Sequence, residues 1–164
     1  MATIKVSEEA EMMLSRLAAK STETCRKALF EGAKVMADGM KSQIESLPTD
    51  DRTIRVDKDD PAKTGLLNGP KTAQKQGLLD SFGIAKFREE GTAITTSLGF
   101  DGYNSIVTKR WPKGQPNSMV ARSVNAGTYF IKATPFIDRA KRQYRKAAEA
   151  RMEEVIKEEV EKEN

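Results

Sequence analysis

The chain has 164 residues, 32% of them charged and 6% aromatic, with a formal net charge of +4. That length buries one core, the scarcity of aromatic residues excludes an aromatic-rich β-sandwich, and the modest charge permits contact with nucleic acid without arguing for it. Histidine is absent and Cys25 is the sole cysteine, which removes the commonest general base, any Ser-His or Cys-His pair, an intrachain disulfide and a Cys-based zinc site. No enzyme, metal or cofactor is expected. Cys25, in an Ala-rich helical stretch, is expected as a small buried packing residue. No basic n-region precedes an apolar run and no segment is apolar for long enough to cross a bilayer, so the expectation is a soluble protein of a reducing compartment.

A helical region is expected over residues 7–47. Ser7 with Glu8 and Glu9 reads as an N-cap and acidic first turn. Leu14, Leu17, Ser21, Cys25, Ala28, Gly32, Met36, Met40, Ile44 and Leu47 then step by three or four, and Pro48 ends the pattern. Unbroken, it would span ~60 Å, long for a compact domain. A break is therefore expected near Ser21-Thr22 or near Gly39. The small residues of the stripe suit close approach of another backbone, within the chain or between chains.

Residues 48–76 read as a flexible insertion with only Ile54, Val56, Leu66 and Leu67 to bury. Two lookalikes there fail. Gly65 to Thr72 is one residue short of a phosphate loop and Pro70 lacks a donor N–H; Asp57 to Asp60 lacks the central Gly and terminal Glu of a calcium loop. A short helix is expected from Thr72 to Phe82, with Leu78, Leu79 and Phe82 inward and Gly83 as its stop. A hairpin follows, Ile84–Arg88 and Thr92–Phe100 joined at Glu89-Glu90-Gly91, with Ile94, Thr96, Leu98 and Phe100 on the helix-covered face. Residues 101–118 break the pattern. There Lys109, Arg110 and Lys113 surround the only tryptophan, Trp111, a composition open to partner contact, packing on its own domain, or base stacking.

Next comes a helix stop and a helix start. A short helix around Val120, Ala121 and Val124 ends at Gly127, Tyr129, Phe130 and Ile131 are strand-prone, and Thr134-Pro135 cap and open a second long helix over 135–164. Gly127, Thr134 and Pro135 thus form a hinge, with Asp138 near the positive end of the helix dipole. Phe136, Ile137, Ala140, Tyr144, Ala148, Met152, Val155 and Ile156 share the inner face. The charge of this helix is segregated, Arg139, Lys141, Arg142, Arg145 and Lys146 first and Glu153 to Glu163 last. It is either a solvated face with pairs such as Glu153–Lys157 and Glu158–Lys162 or a head-to-tail attraction between copies. The fold class expected is α+β, a small antiparallel sheet of about three or four strands flanked by a long N-terminal helix, one or two short helices and a long C-terminal helix.

Four elements in order carry a resemblance: Gly77-Leu78-Leu79-Asp80-Ser81-Phe82, Leu98-Gly99-Phe100-Asp101, Gly127-Thr128, and Pro135-Phe136-Ile137 with Ala140. Together, over roughly residues 77–146, they resemble the gene-product-ten-like family of tailed phages, small neck or tail-completion proteins. Asn125 stands where that family usually has Glu. The resemblance implies a non-catalytic virion protein forming a ring at the head–tail junction, a hexamer with a dodecamer as the alternative. Its implied partners are the head-closure or stopper protein, the tail terminator and the tail tube, with weak contact to genomic DNA and none to a membrane. It implies a place in the virion, and in the host cytoplasm during assembly. A tail terminator and a DNA-binding module are the alternatives. The residues expected at a subunit or partner interface are Lys109, Arg110, Trp111, Tyr129, Phe130, Arg139, Arg142 and Arg145.

Overall fold

The structure, a computed structural model, describes residues 8–162. Ser7 and Glu163 lie outside the described residues, as do the side chains of Leu14 and Leu17. The fold is α+β. In chain order it contains α1 (Glu8–Glu45), α2 (Thr72–Ser81), β1 (Phe82–Ile84), β2 (Arg88–Glu90), β3 (Ala93–Thr95), β4 (Leu98–Phe100), α3 (Asn117–Ala126) and α4 (Phe136–Glu161).

α1 runs for 38 residues without the expected break. Thr22 does not open a new helix; its hydroxyl donates to the Ala18 carbonyl one turn back at 2.9 Å. Gly39 stays helical because it is buried against Tyr144 of α4, so packing supplies what its propensity lacks. The two long helices lie antiparallel, tied by Lys27–Glu159 at 2.5 Å, Glu31–Arg151 at 3.7 Å and Gln43–Gln143 at 3.3 Å. A methyl group built at Gly32 would lie 2.2 Å from Met152 Cε, and one at Gly39 2.3 Å from Tyr144 Cδ2. The small residues of α1 thus form a seam within the chain that receives two large side chains of α4.

Towards the outer end of this pair two expectations fail. Cys25 is exposed rather than buried, and Ile156 is 42% exposed, with Val160 at 52% beside it. The seam closes on Ala28, Ala148 and Val155; beyond it the outer half of the hairpin reaches α1 through Glu89 and Arg26, while Cys25 and Ile156 stay exposed.

The main core sits at the other end, where Met40, Ile44 and Leu47 of α1 meet Leu78 of α2, Phe82 of β1, Val120 and Val124 of α3, and Phe136 and Ala140 of α4. Phe100 joins Phe82 and Phe136, with ring centroids 5.0 and 6.2 Å away. α2 stops at Ser81 and passes straight into β1, Phe82 being extended at φ −75° and ψ 128°; Gly83 is a strand residue, not a helix stop.

The strands form two two-stranded antiparallel sheets, β1–β4 and β2–β3, that are the inner and outer halves of one hairpin. Ala85 still bonds Ser97 in the inner register, whereas Arg88 pairs with Thr95, so Lys86 and Phe87 together face the single Thr96. This is a β-bulge, and its effect is to re-aim a side chain. It brings Glu89, not Arg88, opposite Ile94 on the inner face, where Glu89 pairs with Arg26 of α1. The turn is Gly91-Thr92, one residue later than expected, with Gly91 at φ +62°.

Residues 48–71, expected to have little to bury, are pinned by small polar side chains. The buried Asp50 carboxylate takes two bonds from Arg52 (2.8 and 2.7 Å) and one from the Asn68 N–H at 2.9 Å. Asp51 accepts from the N–H and hydroxyl of Thr72 at 2.8 and 2.6 Å, capping α2 from outside it. Leu67 and Pro70 are buried, and Leu67 bridges to Ile131 through Leu67 N–H to Phe130 O and Lys132 N–H to Leu67 O, both 2.9 Å.

Candidate interaction surface

The hinge between α3 and α4 positions the Tyr129-Phe130 turn and the start of α4. α3 ends at Gly127, whose φ of 77° and ψ of 164° lie in a region open essentially only to glycine. Thr128 then folds the chain back, its N–H bonded to the Ile131 carbonyl and its hydroxyl accepting from the N–H groups of Phe130 and Ile131. Tyr129, Phe130 and Ile131 therefore form a tight turn rather than a strand, and only Ile131 makes a bridge. Tyr129 is 58% exposed at the tip and stacks edge-on against Phe130, 5.1 Å between centroids.

The start of α4 also differs from expectation. Thr134 makes no side-chain cap, and Pro135 stands one position before the helix rather than at its first residue. At φ −75° and ψ 60°, with the Phe136 N–H bonded to the Thr134 carbonyl at 2.7 Å, Pro135 is the centre of an inverse γ-turn. The cap comes from α3. Asn125 Oδ1 accepts from the Ile137 N–H, and Asn125 Nδ2 donates to the Asp138 carboxylate, both at 3.0 Å. Its orientation is fixed by its partners, because an N–H needs an acceptor and a carboxylate needs a donor. One side chain thus locks the end of α3 to the start of α4, a role the sequence alone does not reveal.

Residues 101–116 form a finger. Its base is closed by the Asn104 N–H to the Gln115 carbonyl at 2.9 Å, and the buried Asn104 Oδ1 accepts from Ile106 and Gln115 N–H groups. Gly114, at φ 100°, lies so close that a Cβ there would be 2.0 Å from the Asn104 carbonyl oxygen. Towards the tip, Thr108 and Trp111 exchange backbone hydrogen bonds of 3.1 and 3.0 Å, which leaves Lys109 and Arg110 as the turn itself. Arg110 lies over the Trp111 ring, 5.5 Å from its centroid. Tyr103 and Val107, not singled out by their spacing, are 59% and 65% exposed along the same finger.

The expected interface residues therefore fall into separate groups. Lys109, Arg110 and Trp111 share the finger, Tyr129 and Phe130 the turn, and Arg139, Arg142 and Arg145 the exposed side of α4. Arg145 is paired with Glu149 at 2.9 Å. Among the described residues, no carboxylate lies within 4.0 Å of Lys109, Arg110, Lys113, Arg139 or Arg142. Among the described residues the ion pairs along α4 are Arg145–Glu149 at i, i+4, Arg151–Glu154 and Lys162–Glu159 at i, i+3, and Arg151–Glu158; the expected Glu153–Lys157 and Glu158–Lys162 are not among them.

The two motif lookalikes are used up by local structure. Thr72, where a phosphate loop would need free donors, is bonded to the Asp51 carboxylate, so an acid occupies the place of the anion. Asp57 accepts from the N–H groups of Asp59 and Asp60, closing its own turn. A pocket of about 250 Å³ lies between Ile54, Leu67, Met119, Val124, Phe130 and Ile131, with Arg52 and Lys71 also lining it. Among the described residues no group of three His, Cys, Asp or Glu side chains is placed to hold a metal ion, and no helix is long and apolar enough to cross a membrane. Comparison with protein-family models, curated proteins and solved structures finds no match to this chain.

Proposed function

We propose that the chain is a structural virion protein of a tailed bacteriophage, a subunit of an oligomeric ring at the head–tail junction that helps join the tail to the DNA-filled head. One observation carries this reading: apolar side chains are exposed at both ends of the α1–α4 pair. Tyr103, Val107 and Tyr129 lie at the core end, and Met12, Ile156 and Val160 at the other. A subunit that meets one neighbour with one surface and the next with a different surface needs two such ends, the requirement of a head-to-tail ring. The order of sequence elements that resembles the gene-product-ten-like family supports the place of that ring in the neck.

The test is made on particles. Mass spectrometry of purified virions from a phage carrying this gene should find the chain at a fixed ratio to the portal. Deleting the gene should leave filled heads and tails unjoined. Particles that lack the chain, or deletion with normal joining, would overturn the proposal. A DNA-binding module is the second reading, favoured by the cations of the finger and by Arg139 and Arg142, which have no carboxylate partner among the described residues. It requires DNA affinity that falls steeply with salt.

A further inference from the structure

The finger and the outer end of α4 carry complementary chemistry that is not satisfied among the described residues. Residues 102–116 contain three cations, Lys109, Arg110 and Lys113, and no acid. None of these cations has a carboxylate partner among the described residues, and Tyr103 and Val107 stand exposed beside them. Along residues 149–162 of the opposite end, Glu149, Glu153, Glu154, Glu158, Glu159 and Glu161 outnumber Arg151, Lys157 and Lys162. Glu153 and Glu161 are exposed and have no ion-pair partner among the described residues. Glu153, Ile156 and Val160 follow i, i+3, i+7 spacing and share one side of α4, with Glu161 flanking it. Ile156 and Val160 also line a groove of about 380 Å³ with Thr24 and Cys25 of α1.

The two surfaces cannot meet within one molecule. The finger is rooted beside α2 through Gln74–Gln115 at 2.7 Å, and α2 is tied to the last turn of α1 through Lys75 Nζ to the carbonyl of Glu45. The groove lies at Thr24 and Cys25, about 30 Å back along α1 at ~1.5 Å per residue. The finger also suits a protein surface better than a nucleic acid. Arg110 covers the Trp111 ring that a base would stack on, and Val107 exposes a side chain with neither charge nor π-face.

We propose that the finger of one copy docks on the outer end of α4 of the next. Lys109, Arg110 and Lys113 face Glu153 and Glu161, and Tyr103 and Val107 cover Ile156, Val160 and the groove beside them. The two surfaces differ, so the contact is head-to-tail and closes into a ring or runs on as a filament. This rests on the reading of the chain as a ring subunit but is tested separately from it. Sedimentation equilibrium of the purified chain reads the contact, whereas particle composition reads the role, and either can fail alone.

The wild-type chain should self-associate, less so as salt rises. The triple change Lys109→Glu, Arg110→Glu, Lys113→Glu should weaken association about a hundredfold or more, as should Glu153→Lys with Glu161→Lys. The five changes combined in one chain should restore it, each variant first being shown to keep its circular dichroism spectrum. A wild type that stays monomeric at the highest attainable concentration overturns the proposal. So does a reversed finger that associates normally, or a combined variant that is folded but not restored. Duplex DNA binding lost on reversing the finger while self-association persists would overturn it in favour of a nucleic-acid partner.

Discussion

Replacing Gly39 by alanine sets two opposed effects against each other, and the structure decides which wins. In a helix interior alanine is better than glycine by about 1 kcal/mol, so propensity alone makes Gly39→Ala stabilising. The new Cβ, however, would lie 2.3, 2.4 and 2.7 Å from Cδ2, Cγ and Cε2 of Tyr144, where carbon–carbon contacts settle near ~3.5–4.0 Å. The ring must swing or the helices must part by more than about 1 Å at that level. Tyr144 packs against the core cluster, so neither is free. Overpacking of this kind costs about 1–3 kcal/mol, which leaves Gly39→Ala destabilising by roughly 0–2 kcal/mol. With Tyr144→Ala already in place the clash is gone, and the same change should stabilise by about 1 kcal/mol. Urea unfolding followed by circular dichroism on the four members of this cycle gives a coupling energy, expected between about 1 and 3 kcal/mol. A rise in the urea midpoint for Gly39→Ala in the wild-type background, or an equal effect in both backgrounds, would refute the packing argument.

Three further outcomes are expected. Gly127→Ala puts a Cβ in a glycine-only conformation and 2.8 Å from the Ala133 nitrogen, so thermal unfolding should show a loss of at least about 1–3 kcal/mol. Asn125→Ala removes the cap on Ile137 N–H and should cost about 1 kcal/mol; Asn125→Asp keeps that acceptor but sets a second carboxylate beside Asp138, so its melting temperature should recover with added salt. Asp50 is held well below the usual carboxylate range by the Arg52 guanidinium and then by the Asn68 N–H, and Glu159 is lowered to about 2 by Lys162 and Lys27. A lowered folded-state value means stability present above the unfolded value and lost as pH falls through the folded one. The urea midpoint should therefore drop from about pH 4 downward, and the deficit of Asp50→Asn at neutral pH should shrink over the same range.

What the sequence made legible was the periodic part. The inner faces of α1 and α4 follow a 3.6-residue step from Ala28 to Leu47 and from Phe136 to Val155, and Ile94, Thr96, Leu98 and Phe100 alternate as a half-covered strand must. Where periodicity continued but cover did not, the reading failed. Cys25 and Ile156 sit in step with buried neighbours, yet both are exposed, because the period fixes the face a side chain lies on and not how far along the helix that face is covered. The bulge at Lys86-Phe87 was invisible because a single inserted residue leaves the composition of the strand unchanged while shifting its partners. The α4 cap was misplaced for a related reason: Thr134-Pro135 has the right local chemistry, but the acceptor is supplied by Asn125 from the preceding helix.

The same hydrogen-bond accounting bears on the interaction surface. Asp50, Asp51, Asp57, Asp60 and Asp101 all accept from backbone N–H groups in irregular segments, so their carboxylates are committed to holding the chain's loops. Glutamates take up much of the pairing along the helices, as in Glu159 with Lys27 and Lys162, and Glu154 with Arg151. Past Asp101 at its root the finger has no acid, and its asparagine and glutamine side chains satisfy its base without neutralising its cations. The surplus of positive charge is therefore concentrated rather than spread, and a net charge of +4 understates the local field at Lys109 to Lys113. Position should then matter more than total charge. Exchanging Lys113 with Glu161 keeps the net charge at +4 while removing a cation from the finger and an acid from α4. In the docking arrangement this restores one attractive pair with its sense reversed, whereas in DNA binding it removes a phosphate contact and returns nothing. Retained self-association is expected of the exchange. Loss of self-association in the folded, exchanged chain would count against the docking arrangement.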